Sequence, residues 1–308
     1  MSDQLAKRYA PPVDLSHYAL ISVGAAVATI ILKAGAAYIT SSVGLLSDAA
    51  ESLVNLVAAI IAYIALKISI RPPDDNHHFG HSKAEYFSAA VEGVMIFLAA
   101  TFIIISAITR LIHPVYPESL GIGLAISMVA AVLNGIVGLI LLRAARKYGS
   151  STLEADGKHL MTDVVTSLAV LIGVSLVAIT KMAILDAVVA LIAGINIIWT
   201  GYGLMKESVA GLMDIAMDDE DRAIIDEVID SYRESGRIEF HAIRTRQAGN
   251  RQFMDIHVLV PGTWDVQRGH DFTEEVIDAL VARLPQLRVS AHLEPIEDPK
   301  SYLDETDY

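Results

Sequence analysis

Cysteine is absent from the 308 residues, which excludes disulfides and every thiolate metal site. Any metal site must therefore draw on His, carboxylate and amide groups. Charge is also scarce: Asp, Glu, Lys and Arg make up 19% of the chain against 53% hydrophobic residues. A soluble domain of this length carries more charge and fewer continuous apolar runs. The scarcity is uneven. From Leu212 onward there are 22 acidic and 10 basic residues, whereas residues 1–211 hold 14 and 13. The chain therefore divides into an apolar, membrane-embedded part and an acidic, soluble part. The acidic part argues against nucleic acid as a partner and favours cations. Residues 1–14 contain no apolar stretch with a cleavage pattern, so the first apolar run is expected to stay in place as a span. No nucleophile or protease motif points to an enzyme.

What is present is a series of apolar runs. About 20 mainly apolar residues cross a bilayer as a helix, and six segments qualify, at roughly 17–39, 44–70, 88–112, 119–142, 159–180 and 183–206. Lys7, Arg8, Lys67, Arg71, Lys83, Arg143, Arg146, Lys147, Lys158 and Lys206 gather on one side of these spans, and Arg110 and Lys181 on the other. That bias predicts cytoplasmic termini, as an even number of spans requires. The expected division is a cytoplasmic segment at 1–16, a six-helix transmembrane domain at 17–211, a soluble domain at 212–297 and a flexible tail at 298–308. Within the soluble domain, 219–234 reads as an amphipathic helix, and 238–246 and 252–260 as strands joined by a turn at Ala248-Gly249-Asn250. A second helix at 266–284, with Asp265 as its N-cap, and a third strand at 287–294 complete an αββαβ order. About 80 residues make a small core, so support from a partner subunit is expected.

Three groups of residues carry chemistry. His159 and Asp163 are four apart in one apolar run, and Glu51 and Asn55 are four apart in another. On helices each pair shares a face. Polar glue between helices accounts for Asn55. It accounts poorly for two carboxylates and an imidazole, because a charge at mid-bilayer costs roughly 2.5–3.5 kcal/mol even on the lenient scale. Brought together, the four make a divalent-metal site of imidazole and oxygen ligands. Asp48, one turn before Glu51, suits packing or proton handling. The second group is the loop Asp74-Asp75-Asn76-His77-His78-Phe79-Gly80-His81, dense enough in His and Asp for metal. It lacks the His-Glu-x-x-His pattern of zinc proteases. The third is spread over the soluble domain: His241, His257, His270 and His292, with Glu294 two residues on from His292 and on the same strand face.

With these residues in hand, the sequence resembles the cation diffusion facilitator family, particularly its bacterial zinc and iron efflux members. The carriers are Ser47-Asp48-Ala49-Ala50-Glu51-Ser52-Leu53-Val54-Asn55, Pro73 to Glu85 with its Asp-Asp-Asn-His-His-Phe-Gly-His core, and His159-Leu160-Met161-Thr162-Asp163. Arg244-Thr245-Arg246-Gln247-Ala248-Gly249 and Ile256-His257 add to them. The resemblance implies a homodimer in the inner (plasma) membrane that exports divalent cations by proton antiport and has no prosthetic group. The cargo class would be zinc, iron, manganese, cadmium or cobalt. It implies a transport site at Glu51, Asn55, His159 and Asp163, and a loop site at Asp74, His77 and His81. It also implies a ferredoxin- or metallochaperone-like cytoplasmic domain binding metal through His241, His257, His270, His292 and Glu294, and a salt bridge between Lys83 and Asp214. The chain departs from the zinc members, which usually carry Asp-x-x-x-Asp or His-x-x-x-Asp where Glu51-x-x-x-Asn55 stands. It also has Glu294 where they commonly have Asp. Hard oxygen ligands suit manganese, iron or magnesium better than zinc. A membrane-anchored sensor or scaffold that binds metal without moving it is the alternative, and intramembrane Glu51 and Asp163 weigh against it.

Overall fold

A computed structural model describes residues 13–40, 43–113, 121–182 and 184–306. The chain falls into two compact units, Val13–Ala210 and Gly211–Tyr308. Six helices make the first: α1 (Ser16–Thr40), α2 (Val43–Ser69), α3 (Ala84–Ile112), α4 (Gly121–Tyr148), α5 (Ser151–Thr180) and α6 (Ile184–Leu212). All six are long and apolar enough to cross a membrane.

The helices outrun the apolar segments that reveal them. Helix α5 starts at Ser151, eight residues before the expected 159, and α4 continues to Tyr148 rather than 142. Likewise α3 begins at Ala84 and α6 ends at Leu212. The reason is that backbone hydrogen bonding is indifferent to hydropathy, whereas the boundaries at 88, 142, 159 and 206 follow hydropathy alone. The early start of α5 is set by Ser150, whose Oγ caps Leu153 N at 3.3 Å. Gly149, at φ +66°, lets the chain reverse between α4 and α5. Inside the first turns of α5, Lys158 Nζ pairs with Glu154 Oε1 at 2.7 Å and with Glu207 Oε2 of α6 at 3.3 Å.

The Ser150 hydroxyl also donates to Glu85 Oε2, a fully buried carboxylate at the head of α3. Thr152 adds two bonds to the same residue, N to Oε2 at 3.4 Å and Oγ1 to the carbonyl at 3.3 Å. The heads of α3 and α5 are thereby clamped. At the start of α1, Lys67 Nζ lies 2.8 Å from Asp14 Oδ2. Hydrogen bonding from Lys67 and Ser16 holds the Asp14 carboxyl down at about 2.

Helix α5 is central. Its Leu153 and Leu160 join Leu15 and Ala19 beside and within α1, Leu66 of α2, and Val137 and Leu141 of α4 in one buried cluster. Its Ala155 joins Ala89 and Ile96 of α3 with Ile197 and Leu204 of α6 in another. Small residues let these backbones approach, as membrane helices require where hydrophobicity supplies no drive to associate. A Cβ on Gly157 would meet Leu142 Cγ at 2.9 Å, and one on Gly201 would meet the Phe97 backbone nitrogen at 3.0 Å.

The second unit contains α7 (Asp219–Tyr232), β1 (Glu239–Ala248), β2 (Arg251–Val260), α8 (Val266–Arg283) and β3 (Leu287–Pro295), the expected αββαβ order. The sheet order is β1-β2-β3, with β2 antiparallel to β1 and parallel to β3. Ile225 and Ile229 of α7 with Val276 and Leu280 of α8 pack on Phe240, Met254, Ile256 and Val258. One sheet face is thus the core and the other is open. Asp218 and Asp265 cap the helices, each accepting from the N–H three residues on.

The expected flexible tail needs correction. Pro299–Thr306 forms a 3-10 helix. Two of its side chains bond to backbone: Ser301, itself buried, donates to the Pro295 carbonyl, and Tyr302 to that of Ile296.

Candidate metal centre

The i, i+4 spacing on α5 delivers His159 and Asp163 to one face, and α2 brings Asn55 against them. His159 Nε2 lies 3.0 Å from Asn55 Oδ1. Asn55 Nδ2 donates to Asp163 Oδ2 at 2.6 Å. Because the Asn55 amide nitrogen is committed to Asp163, its oxygen is the acceptor in the other bond, so Nε2 of His159 carries the hydrogen. Imidazole, amide and carboxylate therefore form a chain closed by a proton where a cation would sit. His159 is 6% exposed, and Asn55 and Asp163 are half-buried.

A fourth group completes the chain. Asn134 of α4, buried, donates from Nδ2 to the same Asp163 oxygen at 3.1 Å. The sequence does not single it out, because a lone amide is ordinary in a membrane helix. Glu51 lies on α2 one turn before Asn55, and Asp48 one turn before that. The side chains of both are outside the described residues.

In the loop after α2, Asp74 gathers two histidines: His77 Nδ1 lies 3.1 Å from its Oδ1 and His81 Nε2 3.2 Å from its Oδ2. The imidazoles of His77 and His81 are 4.4 Å apart. Backbone N–H donation from Asn76, with further bonds from His77, holds the Asp74 carboxyl below its ordinary range. Gly80, at φ +84°, permits the turn that returns His81 toward Asp74. Asp74, His77 and His81 offer ligand atoms within 4.8 Å of one another.

In the C-terminal unit, strand register does the gathering. His241 pairs with His257 across β1 and β2, and His257 with His292 across β2 and β3, so three imidazoles occupy one rung. They sit on the open face, because Ile256 and Val258 on either side of His257 face the core. A bulge between His241 and Arg244, with Ala242 at φ +49°, adds the residue that sets this register. Glu294 closes the group: its Oε2 lies 3.0 Å from His241 Nε2 and 3.2 Å from His257 Nδ1. Those separations approach the roughly 3.3 Å edge of a tetrahedral zinc site with bonds of about 2.0 Å. Donor types and spacing fit a divalent metal at His241, His257 and Glu294. His292 stands 3.5 Å from Glu294 Oε1 and is largely exposed. The 3-10 helix places the Tyr302 ring 5.9 Å from that of His241. His270 lies exposed on α8, outside the group of His241, His257 and Glu294 found among the described residues. Asp214 Oδ1 lies 3.1 Å from a guanidinium nitrogen of Arg246.

Residues 19–213 match the model of the cation efflux transmembrane domain, and residues 217–296 that of the cation efflux protein cytoplasmic domain. An uncharacterized transporter of Synechocystis sp. is 48% identical over 92% of this chain and 92% of its own length. The cation-efflux pump FieF of Salmonella arizonae is 30% identical over 91% of this chain and 93% of its own. Among solved structures, the metal-bound C-terminal domain of the CzcD transporter from Thermotoga maritima matches 27% of this chain and 99% of that chain. Its identity is 20% and its TM-score 0.24. A structure of a candidate zinc transporter, CzrB, covers 26% of this chain and 96% of that chain, at 29% identity and a TM-score of 0.24. The chain is a multi-pass membrane protein and belongs to the cation diffusion facilitator family of cation efflux transporters.

Proposed function

We propose that the protein exports a divalent transition-metal cation from the cytoplasm in exchange for protons. The observation that carries this reading is the junction of Asn55, His159 and Asp163 across two apolar helices, closed by the hydrogen on His159 Nε2. With His159 as the imidazolium, a cation entering there takes Nε2, the Asn55 oxygen and the Asp163 carboxylate as ligands; Nδ1 keeps its own proton and the Nε2 proton leaves. Its return from the other side releases the metal. Imidazole suits this exchange because its unperturbed pKa of about 6.5 lies close to cellular pH. Asn55 cannot titrate, so coupling falls on His159, Asp163 and Glu51. The Lys and Arg bias of the loops supports cytoplasmic termini in this reading. Hard oxygen donors at Glu51, Asn55 and Asp163 favour manganese or iron as cargo as readily as zinc. The test is metal-by-metal uptake with a pH-sensitive dye in vesicles reconstituted with the full chain. Uptake of at least one divalent metal with opposed proton movement is expected. Binding without uptake would leave a sensor or scaffold instead.

The C-terminal unit, in this reading, binds cytosolic metal at His241, His257 and Glu294 and pairs two subunits. Its small core makes such pairing favourable. Zinc titration is expected to raise the thermal midpoint of the full chain and to tighten its dimer. Glu294→Ala, which deletes the oxygen shared by both imidazoles, is expected to remove most of that response. Equal zinc-induced shifts in the wild type and Glu294→Ala, read by differential scanning and analytical ultracentrifugation, would exclude this site.

A further inference from the structure

Two polar stripes face the interior of the helical unit. On α3 it comprises Glu85, Ser88 and Glu92; on α5 it comprises Thr152, Asp156, His159 and Asp163. Steps of three and four residues keep each stripe on one helix face. The helices pack together, with Thr152 bonded to Glu85 at the head of the pair. The ends of the double stripe are supplied with donors: Glu85 at Oε2 by Ser150 and Thr152, and Asp163 at Oδ2 by two amides.

The middle is not. Glu92 is 0% exposed, and neither carboxylate oxygen has a hydrogen-bond partner among the described residues. Asp156 is 1% exposed; its Oδ1 takes the Ser22 hydroxyl of α1 at 2.9 Å, and its Oδ2 has no partner there. Ser88, one turn from Glu92, is buried with its hydroxyl likewise unpartnered. Glu92 lies between Ala89 and Ile96 on α3, which pack in one buried cluster with Ala155, the residue before Asp156 on α5. Buried carboxylate oxygens without donors are costly, and in folded interiors they mark the place of an ion or a water.

We infer that Glu92 and Asp156 form a second divalent-cation station, between the loop-bearing end of the bundle and the centre at Asp163. Two carboxylates match the charge of one divalent cation, which a single proton does not. The donors are all oxygen, with Ser22 and Ser88 hydroxyls beside the carboxylates, a set that suits manganese, iron(II) or magnesium. Asp156 precedes His159 by three residues, about 4.5 Å of helix rise. A cation leaving the station reaches the His159–Asp163 centre by moving one turn. The inference rests on the reading that cations pass through this unit, and it supplies an intermediate stop on their path.

Mn2+ bound to the detergent-solubilised full chain, counted by equilibrium dialysis, tests it. The wild type is compared with Glu92→Gln plus Asp156→Asn, with Asp163→Asn, and with all three together. The paired variant is expected to bind one Mn2+ fewer per chain, Asp163→Asn one fewer, and the triple variant two fewer. Equal counts for the wild type and the paired variant would overturn the station, and would assign the pair to protons alone. If the paired variant does not purify as the native oligomer, Glu92→Gln alone, which keeps side-chain size, is expected to weaken one Mn2+ roughly tenfold. Unchanged affinity in that variant also overturns it. Wild-type vesicles that move no metal would sink the exporter reading while leaving these counts standing, so the two failures are distinct.

Discussion

Asp163→Ala is expected to abolish metal-driven proton flux in reconstituted vesicles. The carboxylate is the meeting point of the centre: its Oδ2 accepts from Asn55 at 2.6 Å and from Asn134 at 3.1 Å. Alanine removes a charged metal ligand and leaves two amide donors facing an apolar gap. Loss of a supporting partner alone costs a metal site about 10–100-fold, and loss of a ligand exceeds that. Flux should therefore fall by at least about 100-fold, to the level of protein-free vesicles. Asp163→Asn is the companion variant, because it preserves volume and removes only the charge. It should be equally inactive while eluting and melting like the wild type. Undiminished flux in either would refute the centre.

Asn55→Asp carries the second large effect, with the opposite sign for one metal. The substitution replaces the amide donor 2.6 Å from Asp163 Oδ2 with a second carboxylate. Two carboxylates so close repel, and a cation relieves the repulsion, so metal is held more tightly and in a more charge-rich site. The span-two pattern also moves toward that of the zinc members of the family. Competitive uptake of zinc and manganese should show the zinc-to-manganese ratio rising about tenfold. The mutant should also depend more steeply on pH, losing uptake as pH falls, because protons compete for the added carboxylate. An unchanged ratio would mean that selectivity is set elsewhere.

Much of this was legible in the chain, and what was not has identifiable causes. His159 and Asp163 stood out because ionisable groups are rare in hydrocarbon-length runs, and their spacing alone placed them on one face. Asn134 stayed hidden because a single amide is ordinary in membrane helices, and only the fold shows that it points at Asp163. Glu92 sits in an apolar run and gave the same signal as Asp163, but with no partner four residues away it made no pattern. Asp156 was masked by a misplaced boundary: with the helix begun at 159, it fell in a loop. In the C-terminal unit the rung of His241, His257 and His292 depends on strand order and on the bulge after His241, neither of which hydrophobic alternation reveals.

The bonds from Ser150 and Thr152 onto Glu85 have a mechanical consequence. They tie the first turn of α5 to the first turn of α3 through the backbone as well as the side chains. A joint of this kind resists one helix sliding past the other, yet leaves them to tilt about it. Asp163 lies eleven residues from Thr152, a lever of about 16 Å. A tilt of about 10° at the joint would therefore carry the carboxylate roughly 3 Å, about the length of a metal ligand's reach. Access to the centre would then change by rocking about a fixed hinge, with no piston stroke of α5 against α3.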